Sequence, residues 1–220
     1  MFGPTIQGEG PSIGEPCMFL RLANCNLACT WCDTKYAWDW SKYDKDAHRR
    51  EIPSSDRYDF LMENKPRRLV ITGGEPMLQQ RNLIGLIETL LPYWTVEIET
   101  AGTIIPISSL NILISQYNVS IKLSNSDNAV SKRIIPDVIH QFVNNGKSIF
   151  KFVVSDIYDF IEIDALVKEY GMKDVYIMPE GTTSDDINAG LRTLVPHVIE
   201  RGYKLTTRLH TQIWGNNRGH

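Results

Sequence analysis

The chain has 220 residues, 42% of them apolar, and a formal net charge of −3. This length and composition suit a single globular domain over residues 1–220 and exclude a disordered chain. Lysine and arginine are scattered, leaving no footprint for a nucleic-acid backbone, and no run reaches the ~18 apolar residues of a membrane span.

In chain order, apolar runs predict strands over residues 17–23, 68–71, 95–98, 119–123, 149–154, 175–178 and 204–209. Between them, Leu83, Ile84, Ile87, Leu90 and Leu91 recur at helical spacing, as do Ile161, Leu166, Val167 and Tyr170. Ser184-Asp185-Asp186 reads as the cap of a helix running to about Glu200. The charged, poorly periodic stretch 38–59 is expected to be a surface insertion. Strands alternating with helices imply an α/β fold with a mainly parallel sheet. The polar words Thr72-Gly73-Gly74-Glu75-Pro76, Glu99-Thr100, Ser124, Ser155, Pro179-Glu180-Gly181 and His210 all follow strands. A partial (β/α) barrel with its site at the C-terminal ends of the strands is therefore expected. The first residues show no basic-then-apolar leader, so a cytoplasmic protein is expected.

Four cysteines are present, and Cys25, Cys29 and Cys32 have the spacing Cys-x3-Cys-x2-Cys. Such clustering points to a metal or cluster in a reducing compartment rather than to disulfides. Three thiolates on one loop bind three irons of a cubane and leave the fourth iron open to a small molecule, where clusters normally take four thiolates. A structural zinc site would need a fourth ligand, Cys17 or a distant histidine such as His48. Cys17, in an apolar stretch, reads as a buried core residue.

This cysteine word, followed after a strand by Thr72-Gly73-Gly74-Glu75-Pro76, resembles the radical S-adenosylmethionine (SAM) superfamily. Four further words narrow the resemblance to the 7-carboxy-7-deazaguanine synthase family: Gly3-Pro4-Thr5-Ile6-Gln7-Gly8-Glu9-Gly10, Phe19-Leu20-Arg21-Leu22-Ala23, Trp31-Cys32-Asp33-Thr34 and Ile213-Trp214-Gly215-Asn216. The resemblance spans essentially the whole chain. It implies a partial barrel of radical SAM type and a lyase that converts 6-carboxy-5,6,7,8-tetrahydropterin to 7-carboxy-7-deazaguanine with loss of ammonia, on the way to queuosine-type bases. It also implies a [4Fe–4S] cluster, SAM regenerated at each turnover, Mg2+, an external electron donor such as flavodoxin or ferredoxin, and a homodimer.

Carried over position by position, the resemblance implies cluster ligands at Cys25, Cys29 and Cys32 and a pterin site at Ile6, Gln7, Gly8, Arg21 and Thr72. Arg21 would meet the substrate carboxylate with its guanidinium fork. SAM contacts are implied at Trp31, Cys32, Asp33, Gly74, Ser120, Ile121, Lys122 and Met178-Pro179-Glu180-Gly181, and a Mg2+ contact at Thr34. No catalytic side chain is implied beyond these positioning residues. Read without the resemblance, Gln7 and Gly8 also suit a turn, Arg21 a solvated strand face and Thr34 a turn capped by its own hydroxyl. Glu99 suits either the SAM ribose or a structural hydrogen bond. Ile121 replaces the family's usual proline, and Met178 stands where many relatives have glutamine. The chain starts almost on the Gln7-Gly8-Glu9-Gly10 word, so little of the usual first strand is expected. The tail Asn217-Arg218-Gly219-His220 differs from relatives that bring a terminal carboxylate to the pterin. Two other functions compete: another radical SAM enzyme, such as a glycyl-radical activase, and a non-catalytic metal-binding module.

Overall fold

Strands β1 (Phe2–Ile6), β2 (Pro16–Leu22), β3 (Arg68–Gly73), β4 (Thr95–Thr100), β5 (Gln116–Val119), β6 (Ser148–Val154), β7 (Val175–Pro179) and β8 (Lys204–Leu205) form one sheet in sequence order. The pair β1–β2 is antiparallel and every later pair is parallel. The structure, a computed structural model, describes residues 1–215 and 217–219. Among the described residues no pairing joins β8 to β1, so the sheet is an open, partial barrel.

Alternation along the strands divides the chemistry between the two faces of the sheet. Met18, Leu20, Leu69, Ile71, Val96, Ile98, Phe150 and Phe152 belong to one apolar core under the helices. Each such side chain gains about 1.5–3 kcal/mol from burial. The opposite face carries Arg21 and Thr72, paired in register, with Glu99 on β4 and Lys151 on β6. The helix Gln80–Leu90 turns Leu83, Leu86, Ile87 and Leu90 into the core. The helix Ser184–Arg201 is capped by Thr183, whose hydroxyl accepts the Asp186 N–H, and it ends at Gly202 in the left-handed conformation.

The structure corrects several expectations. The fifth strand is Gln116–Val119, not 119–123. Ile121 and Leu123 remain buried, which explains the strand-like pattern, but they lie in the loop beyond the strand. The last strand stops at Leu205, and a helix follows at Leu209–Trp214. A first strand is present despite Pro4, which an edge strand tolerates because its N–H need not enter a ladder. Ile161 is 71% exposed, and Phe160 and Ile163 face the core instead. The helix cap is Thr183 rather than Ser184. The helix Pro136–Asn144 was not anticipated; its Val138, Ile139 and Phe142 are buried. Between residues 38 and 59 no described residue is buried, and the segment is built from turns, the short helix Lys45–His48 and the start of the helix Ser54–Met62. Asn216 and His220 lie outside the described residues.

Candidate active site

Cys25, Cys29 and Cys32 share the loop that leaves β2. Asn24, at φ 74°, turns the chain out of the strand, a left-handed position that asparagine tolerates better than most residues. The loop is fixed from outside by Ala28 N–H to Asn128 Oδ1 (3.0 Å), Thr30 N–H to Ser126 O (3.2 Å) and Trp31 Nε1 to Asn125 Oδ1 (3.1 Å). Each sulfur meets an N–H donor: Leu27 N–H to Cys25 Sγ (3.5 Å), Asn128 Nδ2 to Cys29 Sγ (3.3 Å) and Trp38 Nε1 to Cys32 Sγ (3.3 Å). Donors of this kind stabilise metal-bound thiolates and tune a cluster's potential. Burial pushes the Cys25 thiol up to about 11 and raises that of Cys29, so ligation must displace protons. Among the described residues no three Cys, His, Asp or Glu side chains gather as ligands of one metal ion. Three thiols on one loop, with N–H donors already at their sulfurs, are the donor set a cubane takes, one sulfur to each of three irons.

The glycine word runs along the entrance to that loop. Gly74 N–H donates to Leu22 O (3.0 Å), and Glu75 N–H donates to Asn24 O (2.8 Å). A Cβ on Gly74 would sit 2.0 Å from Asn24 O, and one on Gly73 would sit 2.2 Å from Leu22 O. Only glycine permits this approach. Glu75 is fully buried and accepts from Met77 N–H (3.0 Å), Thr100 Oγ1 (2.8 Å) and Ala101 N–H (2.7 Å). Desolvation raises its pKa against the pull of these three donors. The carboxylate therefore clamps the glycine word to the end of β4.

At the other end, Glu99 accepts from Gln7 Nε2 (3.1 Å) and Thr72 Oγ1 (2.8 Å), so the N-terminal word, β3 and β4 meet on one carboxylate. Glu9 lies between Lys151 Nζ and Arg208 Nε, the latter at 3.2 Å. Burial opposes ionisation of Glu9, but the two cations outweigh it and hold the carboxyl well below its usual range. Arg208 also reaches the Asp33 carboxylate and Gly181 O (2.6 Å), tying the cluster loop to the end of β7. Leu209 N–H donates to Gly8 O (2.9 Å), and a Cβ on Gly8 would strike the His210 ring. The C-terminal segment thus seals against the N-terminal word where the sheet is open.

A cavity of about 240 Å3 lies between these two ends. Of the residues expected at the site, every one but Ile121 lines it. The Ile121 side chain is 1% exposed and belongs to the apolar core behind the sheet. Thr34 Oγ1 lies 3.5 Å from Cys32 Sγ, and Lys122 Nζ lies 5.3 Å from the centre of the Trp31 ring and 2.9 Å from Ser120 Oγ. Arg21 stands 6.0 Å from the centre of the Phe2 ring. Cys17 is fully buried against Phe19 and Val70, away from the loop cysteines. Sequence reasoning missed Glu9, Lys151 and Arg208, and it marked His210 only as a polar residue after a strand. Lys151 left a trace: it is the one charge in the apolar run 149–154.

Residues 6–101 match the family model described as a 4Fe-4S single cluster domain. The 7-carboxy-7-deazaguanine synthase of Pyrobaculum aerophilum is 34% identical over 98% of this chain and 93% of its own length. That of Rhodopirellula baltica is 30% identical over 97% and 84%. Among solved structures, QueE from Escherichia coli superposes with a TM-score of 0.68 at 24% identity, covering 95% of this chain and 92% of that one. Native anSMEcpe with bound AdoMet gives 0.58 at 14% identity, covering 87% and 64%. These superpositions show that the chain shares their fold.

Proposed function

The chain belongs to the 7-carboxy-7-deazaguanine synthase family, and from that membership we propose how its own residues divide the work. It is a radical SAM enzyme with a [4Fe–4S] cluster, and it carries out the ring contraction that forms 7-carboxy-7-deazaguanine. The observation that carries this reading is one cavity lined at one end by Cys25, Cys29 and Cys32 and at the other by Gln7, Arg21, Thr72 and Glu99. When bound, the cluster and SAM supply the one-electron chemistry that removes hydrogen from the substrate carbon bearing the carboxylate. The chain binds, orients and excludes water.

In the proposed assignment Cys25, Cys29 and Cys32 hold the cluster. Trp31, Asp33, Gly74, Ser120, Lys122 and the stretch Met178–Gly181 hold SAM, and Ile121 contributes through its backbone alone. Gln7 and Gly8 pair with the aminopyrimidinone edge of 6-carboxy-5,6,7,8-tetrahydropterin, with Ile6 against the ring. Arg21 takes the carboxylate in a bidentate pair, and Thr72 is held toward the ring by Glu99. Thr34 offers its hydroxyl to a Mg2+ ion, a hard cation that leaves coordination sites for substrate oxygens. An external donor such as flavodoxin or ferredoxin, a homodimeric assembly and a cytoplasmic location complete the proposal. Among the described residues no helix is long and apolar enough to cross a membrane.

The test is anaerobic incubation of reduced, reconstituted protein with SAM and 6-carboxytetrahydropterin, followed by mass analysis. The expected product is 7-carboxy-7-deazaguanine, formed many times per SAM. Cleavage of SAM with the pterin untouched would refute the assignment.

A further inference from the structure

Beside the active-site cavity lies a larger groove of about 1030 Å3, walled by β2, residues 47–52 of the charged segment and the C-terminal residues 217–219. Among the described residues six arginines and two carboxylates line it, in a chain whose net charge is −3. Glu51 takes up Arg49 at 3.1 Å, and Asp33 and Glu9 take up Arg208, so the excess rests on Arg21, Arg50 and Arg218. The groove therefore presents an excess of positive charge between low-dielectric walls, which focuses the field on an approaching anion. Arg218 is held there by stacking over Tyr36, 3.9 Å from the ring centre, and Arg50 is exposed.

The groove and the active-site cavity share Phe2, Arg21, Asp33, Thr34, Arg208 and His210. Arg21 and Thr34 belong to the pterin and Mg2+ end of the proposed site. Gly74, Ser120, Lys122 and Met178, proposed to hold SAM, line the inner cavity alone. None of the three loop cysteines faces the groove, so a docked electron-donor protein would gain no direct approach to the cluster there. We propose that this groove is a cationic entrance through which the carboxylate-bearing substrate reaches the active site, with Arg50 and Arg218 steering it inward. The proposal rests on the pterin reading above.

The test uses reconstituted holoenzyme and the double substitution R50E/R218E, with R50Q/R218Q as the milder pair. Binding of 6-carboxypterin, a stable oxidised analogue, is followed by stopped-flow tryptophan fluorescence, since Trp31 and Trp38 line the inner cavity. The wild-type association rate is expected to fall about tenfold between low and high salt, in line with steered association. The glutamate pair should lower the low-salt rate about tenfold and remove the salt dependence, with the glutamine pair intermediate. Pterin without its carboxylate should associate at one rate in all three proteins, and turnover at saturating substrate should be unchanged. An association rate indifferent to salt and to both double substitutions would overturn the proposal. So would an unchanged rate coupled to slower reduction by flavodoxin, which would assign the groove to the donor. Failure to make product from the tetrahydropterin would count against the functional reading alone, because the association rate is measured without turnover.

Discussion

Replacing Gly74 with alanine tests the contact on which the site's geometry depends. The added Cβ would lie 2.0 Å from Asn24 O and 3.0 Å from Cys25 Cβ, where ordinary contact begins at 3.4 Å. The obstructing atoms are backbone and the root of a cluster cysteine, so no flexible side chain can swing aside. Either the glycine word or the cluster loop must retreat by more than ~1 Å, and both are pinned, by Glu75 on one side and by Asn128 and Asn125 on the other. Overpacking of this kind costs about 1–3 kcal/mol, or about 4–8 °C of melting temperature for ~2 kcal/mol in a chain of this size. A displacement of ~1 Å between reacting groups lowers rates by about 100-fold. The expected outcome is a destabilised protein with reduced iron per chain and about 100-fold slower reductive SAM cleavage. Gly85→Ala is the control: this exposed helical glycine has nothing within 4 Å of its added Cβ, and the change should stabilise by about 0.5–1 kcal/mol. Wild-type iron content and SAM cleavage in Gly74→Ala would refute the packing argument.

Cys29→Ala should abolish cluster assembly and turnover while leaving circular dichroism unchanged, and retained iron and activity would remove the cluster assignment. Thr34→Ala should shift the Mg2+ dependence of turnover while SAM cleavage without substrate and the cluster spectrum stay as they were; an unchanged titration would make Thr34 a turn residue. Glu9→Gln leaves Lys151 and Arg208 buried around a neutral amide and should lower stability at pH 7 by about 3 kcal/mol, read from denaturant unfolding of the apo-protein. Because the folded pKa of Glu9 lies below its ordinary value of 4.5, its contribution is present above that pH and is lost as pH falls through the folded value. The difference between wild type and Glu9→Gln should therefore shrink in acid, and a constant or widening gap would contradict the pairing.

How far the fold was legible depended on where each residue's partners lie. The Cys-x3-Cys-x2-Cys word and the glycine word are local, and both carry their chemistry in their spacing. The alternation of strands and helices gave the parallel sheet. It misplaced β5 because Ile121 and Leu123 are buried without being paired, and burial is all that an apolar pattern reports. Glu9, Lys151 and Arg208 escaped notice because each acquires meaning only from the other two, and 142 positions separate Glu9 from Lys151. No local window contains such a group.

The strand Thr95–Thr100 shows the same limit from the other direction. Val96, Glu97, Ile98 and Glu99 alternate as in a sheet with one face in water. Yet Glu97 is fully buried, accepting from Ser12 Oγ (2.9 Å) and Asn118 Nδ2 (3.1 Å) and paired with Arg68. Its polar face is turned into the barrel, not toward solvent. A period of two reports that the faces differ and says nothing of what covers the polar one. What covers it here is the N-terminal word, held across the open side by Gly10 N–H to Thr206 Oγ1 (2.9 Å) and by Arg208 on Glu9. The short strand β8 and the N-terminal word thus finish the enclosure that the sheet leaves open. The residues that close it, Glu9 and Arg208, also line the active-site cavity, so closing the barrel and shaping the site are one set of contacts.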